Sequence, residues 1–317
     1  MDAHGYGKFP VFIGKEYTPQ IASTIFKLLE KEDLMKSRTV SSAWKNVVDS
    51  ETSLWTDPEL YIKAASEGRL DICQRIIERV DNKNPSVKLP TRLRWVLQNQ
   101  QQLSPLHIAA NEGHIEICRL IMSYLEDKNP ENDMGKTPLH YAAACKERDW
   151  RIGGLEVYQL IMNEADDKNP KDKQGSTPLH VAAIHGNFKT CKLILENADE
   201  KNPADDSGST PLHEAAREGH TSVFHLIFEN VEFENPPDGQ GNTPLHIAAA
   251  YGADNRLIDI QTSNYIDICR LILNHVDEKH PANANGQTPL HFARHWLRGE
   301  IDIFTQIQQL WSSYEEH

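Results

Sequence analysis

The 317-residue chain lacks the features that mark membrane, secreted and catalytic proteins. No N-terminal stretch has the apolar run of a signal peptide, and no segment approaches the roughly 18 apolar residues that a membrane span needs. The sequence contains no Cys-x-x-Cys pair, no phosphate-cradling glycine loop and no Gly-x-Ser-x-Gly elbow. These absences argue against an enzyme, predict no cofactor or metal, and favour a protein that acts by binding.

Cysteine is scarce, and its placement predicts buried thiols. Four of the five cysteines fall at one register of a repeated pattern, each before an apolar pair, as in Cys118-Arg119-Leu120-Ile121. The four are Cys73, Cys118, Cys191 and Cys269. One cysteine per repeated unit is too far from the next to form a disulfide. Unpaired thiols favour a reducing compartment, the cytoplasm or the nucleus.

One tetrapeptide recurs along most of the chain. Thr-Pro-Leu-His begins at Thr137, Thr177, Thr210, Thr243 and Thr288, and Ser-Pro-Leu-His begins at Ser104. Successive copies are 33, 40, 33, 33 and 45 residues apart, which is 33 throughout with inserts of 7 and 12. A fixed period of this length predicts stacked supersecondary units instead of one globular core.

A single unit shows why the motif folds as two helices. Thr210 is placed to cap a helix, and Pro211 follows at the first helical position, where its missing N–H is tolerated. Gly219 breaks that helix, and residues 222–230 carry the apolar stripe of a second one. Asn235-Pro236 then ends the second helix and leads into an extended arm.

The motif with its period resembles the ankyrin repeat over residues 58–317. The resemblance implies an all-α solenoid of helix-turn-helix units, joined by β-hairpin or turn connections, that binds protein partners. It places a capping repeat at 58–90, an insert at 88–102, and repeats that start near residues 99, 132, 172, 205, 238 and 283. We expect the tetrapeptide histidines to bond to the local turn and to the neighbouring unit. They are His107, His140, His180, His213, His246 and His291.

Residues 1–57 lie outside the repeat period, and after a tail at 1–16 they show a different pattern. The segment 17–57 resembles an F-box, although Tyr17-Thr18 stands where that family usually has Leu-Pro. The positions that carry the resemblance are Ile25, Leu29, Asp33-Leu34, Val40-Ser41, Trp44 and Leu54-Trp55.

The F-box resemblance implies docking on the Skp adaptor of an SCF-type (cullin–RING) ubiquitin ligase, with the repeats holding a substrate protein. The residues expected to face the adaptor are Pro19, Ile21, Ile25, Leu29, Leu34 and Val40. Two alternatives remain: the segment is an extra helical cap, and the protein is an ankyrin scaffold or inhibitor with no link to a ligase.

The ankyrin resemblance also places the substrate, on hairpin tips and on the ends of the first helices. Candidate contact residues there are Met134, Lys136, Lys173, His185, Arg217, Tyr251 and Trp296. Trp150, within the 7-residue insert at 146–152, is a further candidate, because an aromatic among charges is unusual in solvent. The insert near 253–264 is expected to lengthen the connection between two helices of a unit.

Charge narrows the class of partner. Residues 1–57 hold 7 Lys or Arg and 8 Asp or Glu, so they carry −1 of the net −13 and the remaining residues carry −12. Nucleic acids and anionic membranes both need a basic footprint, so neither is expected as a partner. The acidic balance favours a basic protein partner, or simply keeps the solenoid soluble.

Overall fold

The computed structural model describes residues 55–88, 102–145, 153–252, 259–295 and 308–314. Two helices make up each unit, and the first helices are α1 (Pro58–Ser66), α3 (Pro105–Glu112), α5 (Pro138–Ala144), α7 (Pro178–His185), α9 (Pro211–Glu218), α11 (Pro244–Gly252) and α13 (Pro289–His295). The second helices are α2 (Leu70–Ile77), α4 (Ile115–Met122), α6 (Gly153–Glu164), α8 (Phe188–Asn197), α10 (Thr221–Phe228) and α12 (Asp259–His275). Residues 308–314 are also helical. We number the units, in chain order, repeats 1 to 7.

Several predicted positions lie outside the described residues. They are the adaptor-facing set Pro19, Ile21, Ile25, Leu29, Leu34 and Val40, together with Trp150 and Trp296. Of the insert at 88–102, the described ends form a short antiparallel pair, β1 (Val87–Lys88) with β2 (Gln102–Leu103), in which Val87 is opposite Leu103.

The first helices begin as the sequence predicts. Thr210 has extended backbone angles, and its backbone N–H donates to His213 Nδ1 at 3.1 Å, which closes a capping box with Pro211 at the first position. Gly219 ends the helix with a φ of 68°, in the left-handed region that glycine adopts without strain. The predicted helix-turn-helix unit is therefore confirmed, and the same cap recurs at Ser104, Thr137 and Thr177.

The core runs along the stack between first and second helices. In repeat 5 the Ala215-Ala216 pair and the stripe of α10, such as Phe224 and Ile227, have no exposed surface. The five cysteines are buried free thiols, and burial raises the pKa of Cys73, Cys191 and Cys269 to about 12 each. These sulfurs pack as small apolar groups, as their register predicts.

A tryptophan closes the core near each end of the described solenoid. Trp55 is fully buried, and the guanidinium carbons of Arg75 and Arg79 lie 5.9 Å and 5.8 Å from its ring centroid. Trp311 is 1% exposed, and its Nε1 donates to the backbone oxygen of Lys279 at 3.0 Å. Bulky side chains at these positions cover apolar surface that a further repeat would otherwise cover.

The insert near 253–264 differs from its predicted form. We expected a longer connection, but α12 already begins at Asp259, so the end of the insert extends the second helix of repeat 6 to 17 residues. Tyr265 in this helix donates its hydroxyl to the backbone oxygen of Arg217 at 3.0 Å. In repeat 5 the corresponding bond is made by His220, whose Nε2 lies 3.1 Å from the Ile184 oxygen.

The recurring Asn-Pro pair has a role that the sequence did not reveal. Asn202 Oδ1 accepts from the Leu212 backbone N–H at 3.2 Å, and Asn84, Asn129 and Asn235 make the equivalent bond to the next unit. The N–H groups of a first helical turn have no partner within the helix. Each of these asparagines therefore caps the first helix of the following repeat from outside.

Replacing Asn202 with alanine is expected to lower the free energy of unfolding by about 1 kcal/mol, because the Leu212 N–H loses its acceptor. Urea unfolding followed by circular dichroism measures the change. The exposed Asn197 in the same repeat bonds only to Leu193 of its own helix, so Asn197→Ala is the control and is expected to stay within about 0.5 kcal/mol of wild type. Equal values for the two variants would contradict the capping role.

Candidate protein-binding surface

Five hairpin turns of the same construction project between repeats. Each opens with an Asp or Asn whose Oδ1 accepts two backbone N–H groups of its own turn, as Asp172 does from Gln174 and Ser176 at 2.9 Å. The opening residues are Asn132, Asp172, Asp205, Asp238 and Asn283. These side-chain bonds hold the turn in shape without a partner molecule.

Neighbouring turns are joined to one another by backbone hydrogen bonds. Lys173 N donates to Met134 O at 3.0 Å, and Asp206 N donates to Gln174 O at 2.9 Å. The series continues from Gly239 N to Ser207 O at 2.8 Å and from Ala284 N to Gln240 O at 2.9 Å. The turns of repeats 3 to 7 therefore form one continuous ribbon, and its side chains are displayed on a preorganised backbone.

The tetrapeptide histidines fasten this ribbon to the first helices. His140 Nδ1 accepts the Thr137 backbone N–H at 3.1 Å, while Nε2 lies 3.0 Å from the Ser176 oxygen of the next repeat. Because Nδ1 accepts, the ring is neutral and its proton is on Nε2. The predicted double role of these histidines is confirmed at His107, His140, His180, His213 and His246.

Burial keeps these rings neutral. Desolvation lowers the pKa of His107 and of His140 to about 4, and it lowers the pKa of His180, His213 and His246 in the same direction. A protonated ring would also turn Nδ1 from an acceptor into a donor that faces another N–H.

Three predicted contact residues meet on the turns of repeats 3 and 4. Lys173 is exposed, and its Nζ donates to the backbone oxygen of Asp133 at 2.7 Å. Lys136 is half-buried, with Nζ 3.8 Å from Asp172 Oδ2, and Met134 beside it is half-buried as well. Two lysines and a methionine thus share a small part of the ribbon.

The other predicted contact residues lie at the ends of first helices. His185 is half-buried at the end of α7, Arg217 is half-buried in α9, and Tyr251 is 38% exposed in α11. Tyr251 stacks on the buried Tyr265, with ring centroids 6.2 Å apart and an interplanar angle of 23°. An aromatic ring held this way presents a rigid surface, which is typical of residues that dominate binding energy.

Glu214 is a feature of this site that sequence reasoning missed. It is 8% exposed, its Oε1 accepts from Ser209 Oγ at 2.8 Å, and its Oε2 accepts from Arg217 Nη1. The residue after the tetrapeptide is apolar in every other copy: Ile108, Tyr141, Val181, Ile247 and Phe292. Comparing the copies at this position would have singled out Glu214, and the carboxylate now explains why Arg217 is held in place.

Other kinds of site are not found in the part of the chain that the structure describes. There, no group of three or more His, Cys, Asp or Glu side chains is arranged to hold a metal ion. No helix within the same ranges is long and apolar enough to span a membrane.

Comparison with known proteins agrees with this geometry. A solved ankyrin repeat domain from Acinetobacter baumannii AYE has a similar fold, with a TM-score of 0.53 and 24% identity over 67% of this chain and 97% of that chain. The comparison with curated proteins returned no match. A family model of three ankyrin repeats matches residues 60–150, 150–235 and 205–260, and a single-repeat model matches residues 240–281. The chain belongs to the ankyrin-repeat family, and its repeats have a protein-binding role.

Proposed function

We propose that this protein is a substrate receptor of a cullin–RING ubiquitin ligase that acts in the cytoplasm or the nucleus. In this proposal residues 17–57 dock on the Skp adaptor, and the repeats hold the substrate. The observation that carries it is the F-box-like spacing of Ile25, Leu29, Asp33-Leu34 and Trp44. The protein itself needs no catalytic group, because it only brings two binding surfaces to a defined separation.

The attachment of the segment to the solenoid supports this arrangement. Leu54-Trp55 ends the F-box-like pattern, and Trp55 is fully buried beside Arg75 and Arg79 of repeat 1. A buried aromatic at this junction favours a stiff connection over a loose linker. A stiff connection keeps the separation between adaptor and substrate constant, which suits a receptor that presents the lysines of its bound substrate to a ligase.

We place the substrate on the recognition face, which we define as Met134, Lys136, Lys173, His185, Arg217 and Tyr251. The joined turns and the Tyr251–Tyr265 stack support this choice, because a preorganised surface loses little conformational entropy when it binds. The net charge of −12 on residues 58–317 favours a substrate with a basic surface through long-range attraction, and on the face itself Lys136 and Arg217 are paired with Asp172 and Glu214. The alternative function is an ankyrin scaffold or inhibitor that binds a protein and recruits no ligase.

We expect the full chain to bind purified Skp adaptor with micromolar or tighter affinity in a calorimetric titration. The Ile25→Asp/Leu29→Asp variant is expected to lose this binding, because two charges would enter the apolar contact. Tyr251→Ala is the matched control: it lies on the recognition face, so it should bind the adaptor as wild type does.

Circular dichroism and thermal melting of each variant would establish that the repeats remain folded. A folded wild type that does not bind the adaptor would overturn the ligase proposal and favour the scaffold. Binding that survives the double substitution would show that the adaptor uses another surface.

A further inference from the structure

Phe233 is the most exposed large apolar side chain in the part of the chain that the structure describes, at 65%. It lies in the connection between α10 and the next turn, which we call the Phe233 loop (residues 229–235). The equivalent position is polar in the other repeats that have this connection: Asn82, Asp127, Asp167, Glu200 and Glu278. A single exposed aromatic needs no explanation by itself, but this one departs from a pattern that the chain otherwise keeps.

A second departure follows directly, and it concerns a lysine that caps the second helix. Lys83 Nζ donates to Ile77 O at 2.8 Å and to Val80 O at 2.6 Å, and Lys128 Nζ donates to Met122 O and Leu125 O at 2.7 and 2.6 Å. Lys279 makes the same pair of bonds to Leu273 O and Val276 O. The final carbonyls of a helix have no partner in the helix and carry partial negative charge, so an ammonium group stabilises them.

In repeat 5 this lysine is replaced by Glu234. The corresponding carbonyls are those of Phe228 and Val231, and among the described residues no lysine donates to them. Glu234 is half-buried, and Glu229 and Glu232 beside it are exposed. A carboxylate near a helix C-terminus is unfavourable, so the loop combines an exposed ring, three carboxylates and two carbonyls without the lysine bonds that repeats 1, 2 and 6 have.

We propose that the Phe233 loop binds a basic segment of a partner protein in which a lysine adjoins an aliphatic residue. The partner's ammonium group takes the place that Lys83, Lys128 and Lys279 occupy in their own repeats, at the carbonyls of Phe228 and Val231. The three glutamates supply the complementary charge, and the aliphatic side chain covers Phe233. None of the recognition-face residues belongs to this loop, so the inference does not rest on the proposed function.

The chain itself supplies a variant that removes the site without harming the fold. Phe233→Glu/Glu234→Lys converts the local sequence into Glu-Lys-Asn-Pro, as at Glu200-Lys201-Asn202-Pro203, and repeat 6 carries the same Glu-Lys pair at Glu278-Lys279, where the lysine caps α12. The variant is expected to melt at or above the wild-type temperature, since the added lysine can cap α10. The double variant changes the net charge by +1. Glu200→Gln makes the same change in the equivalent loop of repeat 4, so it is the charge-matched control.

The test is fluorescence anisotropy of the full chain with four labelled nonapeptides that share Gly-Ser flanks and differ in their cores. The cores are Lys-Leu-Lys, Lys-Ser-Lys, Ser-Leu-Ser and Glu-Leu-Glu. We expect wild type to bind the Lys-Leu-Lys peptide at least about fivefold more tightly than any other. The double variant should weaken that binding about fivefold or more, and Glu200→Gln should leave it unchanged.

Three results would overturn the proposal. One is the absence of Lys-Leu-Lys binding below a dissociation constant of about 1 mM, the weakest affinity that a specific contact of this size would give. Another is equal weakening by Glu200→Gln, which would indicate attraction to the acidic surface in general. The last is a folded double variant that binds the Lys-Leu-Lys peptide as tightly as wild type does.

Discussion

Lowering the pH from 7 to 5 is expected to remove about 4 kcal/mol of the free energy of unfolding through His107 and His140 alone. Burial lowers the pKa of both rings to about 4 in the native state, whereas an unfolded histidine has a pKa near 6.5. Between these values the unfolded chain binds protons that the native chain does not. Each ring therefore contributes about 2 kcal/mol of destabilisation at pH 5.

The direction follows from burial, which disfavours the charged form of each ring. The free energy of unfolding that the two neutral rings contribute is fully present above about pH 6.5 and decreases as the pH drops toward 4. Below about pH 4 these two groups cause no further loss. His180, His213 and His246 have the same paired bonds and a pKa lowered in the same direction, so they steepen the loss. The histidines that join the repeats thus make the solenoid sensitive to mild acid.

Urea unfolding at pH 7, 6 and 5 measures this dependence, and one substitution isolates a single ring. His140→Gln keeps a side chain that can accept the Thr137 N–H, yet it cannot be protonated. We expect it to be less stable than wild type at pH 7, with a slope that is shallower by about 1.2 kcal/mol per pH unit near pH 5. Asn197→Ala, which removes no titratable group, is the control and should keep the wild-type slope. Identical slopes for all three proteins would contradict the assignment.

The architecture could be predicted because each unit repeats the same local rules. A threonine cap, a proline at the first helical position and a glycine at the end specify the first helix of a standard unit by contacts within about ten residues, as Thr210, Pro211 and Gly219 do. Six copies at one spacing then predict stacking, since a unit contacts mainly its neighbours. The register of the cysteines was predictable for the same reason.

The details of the site depend on contacts between units, which a local pattern does not contain. His213 reaches the Asn242 oxygen 29 residues ahead, and Tyr265 reaches the Arg217 oxygen 48 residues back. The Asn-Pro pair looked like a helix stop, yet Asn202 caps a helix of the following unit. The start of α12 also escaped prediction, because a 12-residue insert interrupts the 33-residue period at this point.

Replacing Gly153 with alanine is expected to lower the free energy of unfolding by about 3 kcal/mol. A Cβ atom on Gly153 would lie 1.8 Å from the Gly113 backbone oxygen and 2.7 Å from its carbonyl carbon. Both contacts are with backbone, so no side-chain rotation relieves them, and α6 would have to move away from the end of α3. The next residue, Gly154, is buried and packs so closely on Cys145 that a Cβ added there would lie 2.9 Å from Cys145 Cβ, so the start of α6 has little room to shift.

Gly286→Ala separates this clash from backbone strain. Gly286 has a φ of 71°, but a Cβ there meets nothing within 4 Å, so its alanine variant should lose only about 1 kcal/mol. Chemical unfolding measures both values, and equal losses would show that the close approach of Gly153 to Gly113 is unimportant.

Hydrogen exchange adds a spatial test of the same contact. Because repeats in a stack contact mainly their neighbours, Gly153→Ala should reduce protection first in α3, α4 and α6, while α10 stays protected until the whole solenoid opens. A uniform loss of protection along the chain would mean instead that the repeats unfold as one cooperative body. The boundary between repeats 2 and 3 would then transmit strain to the far end of the stack.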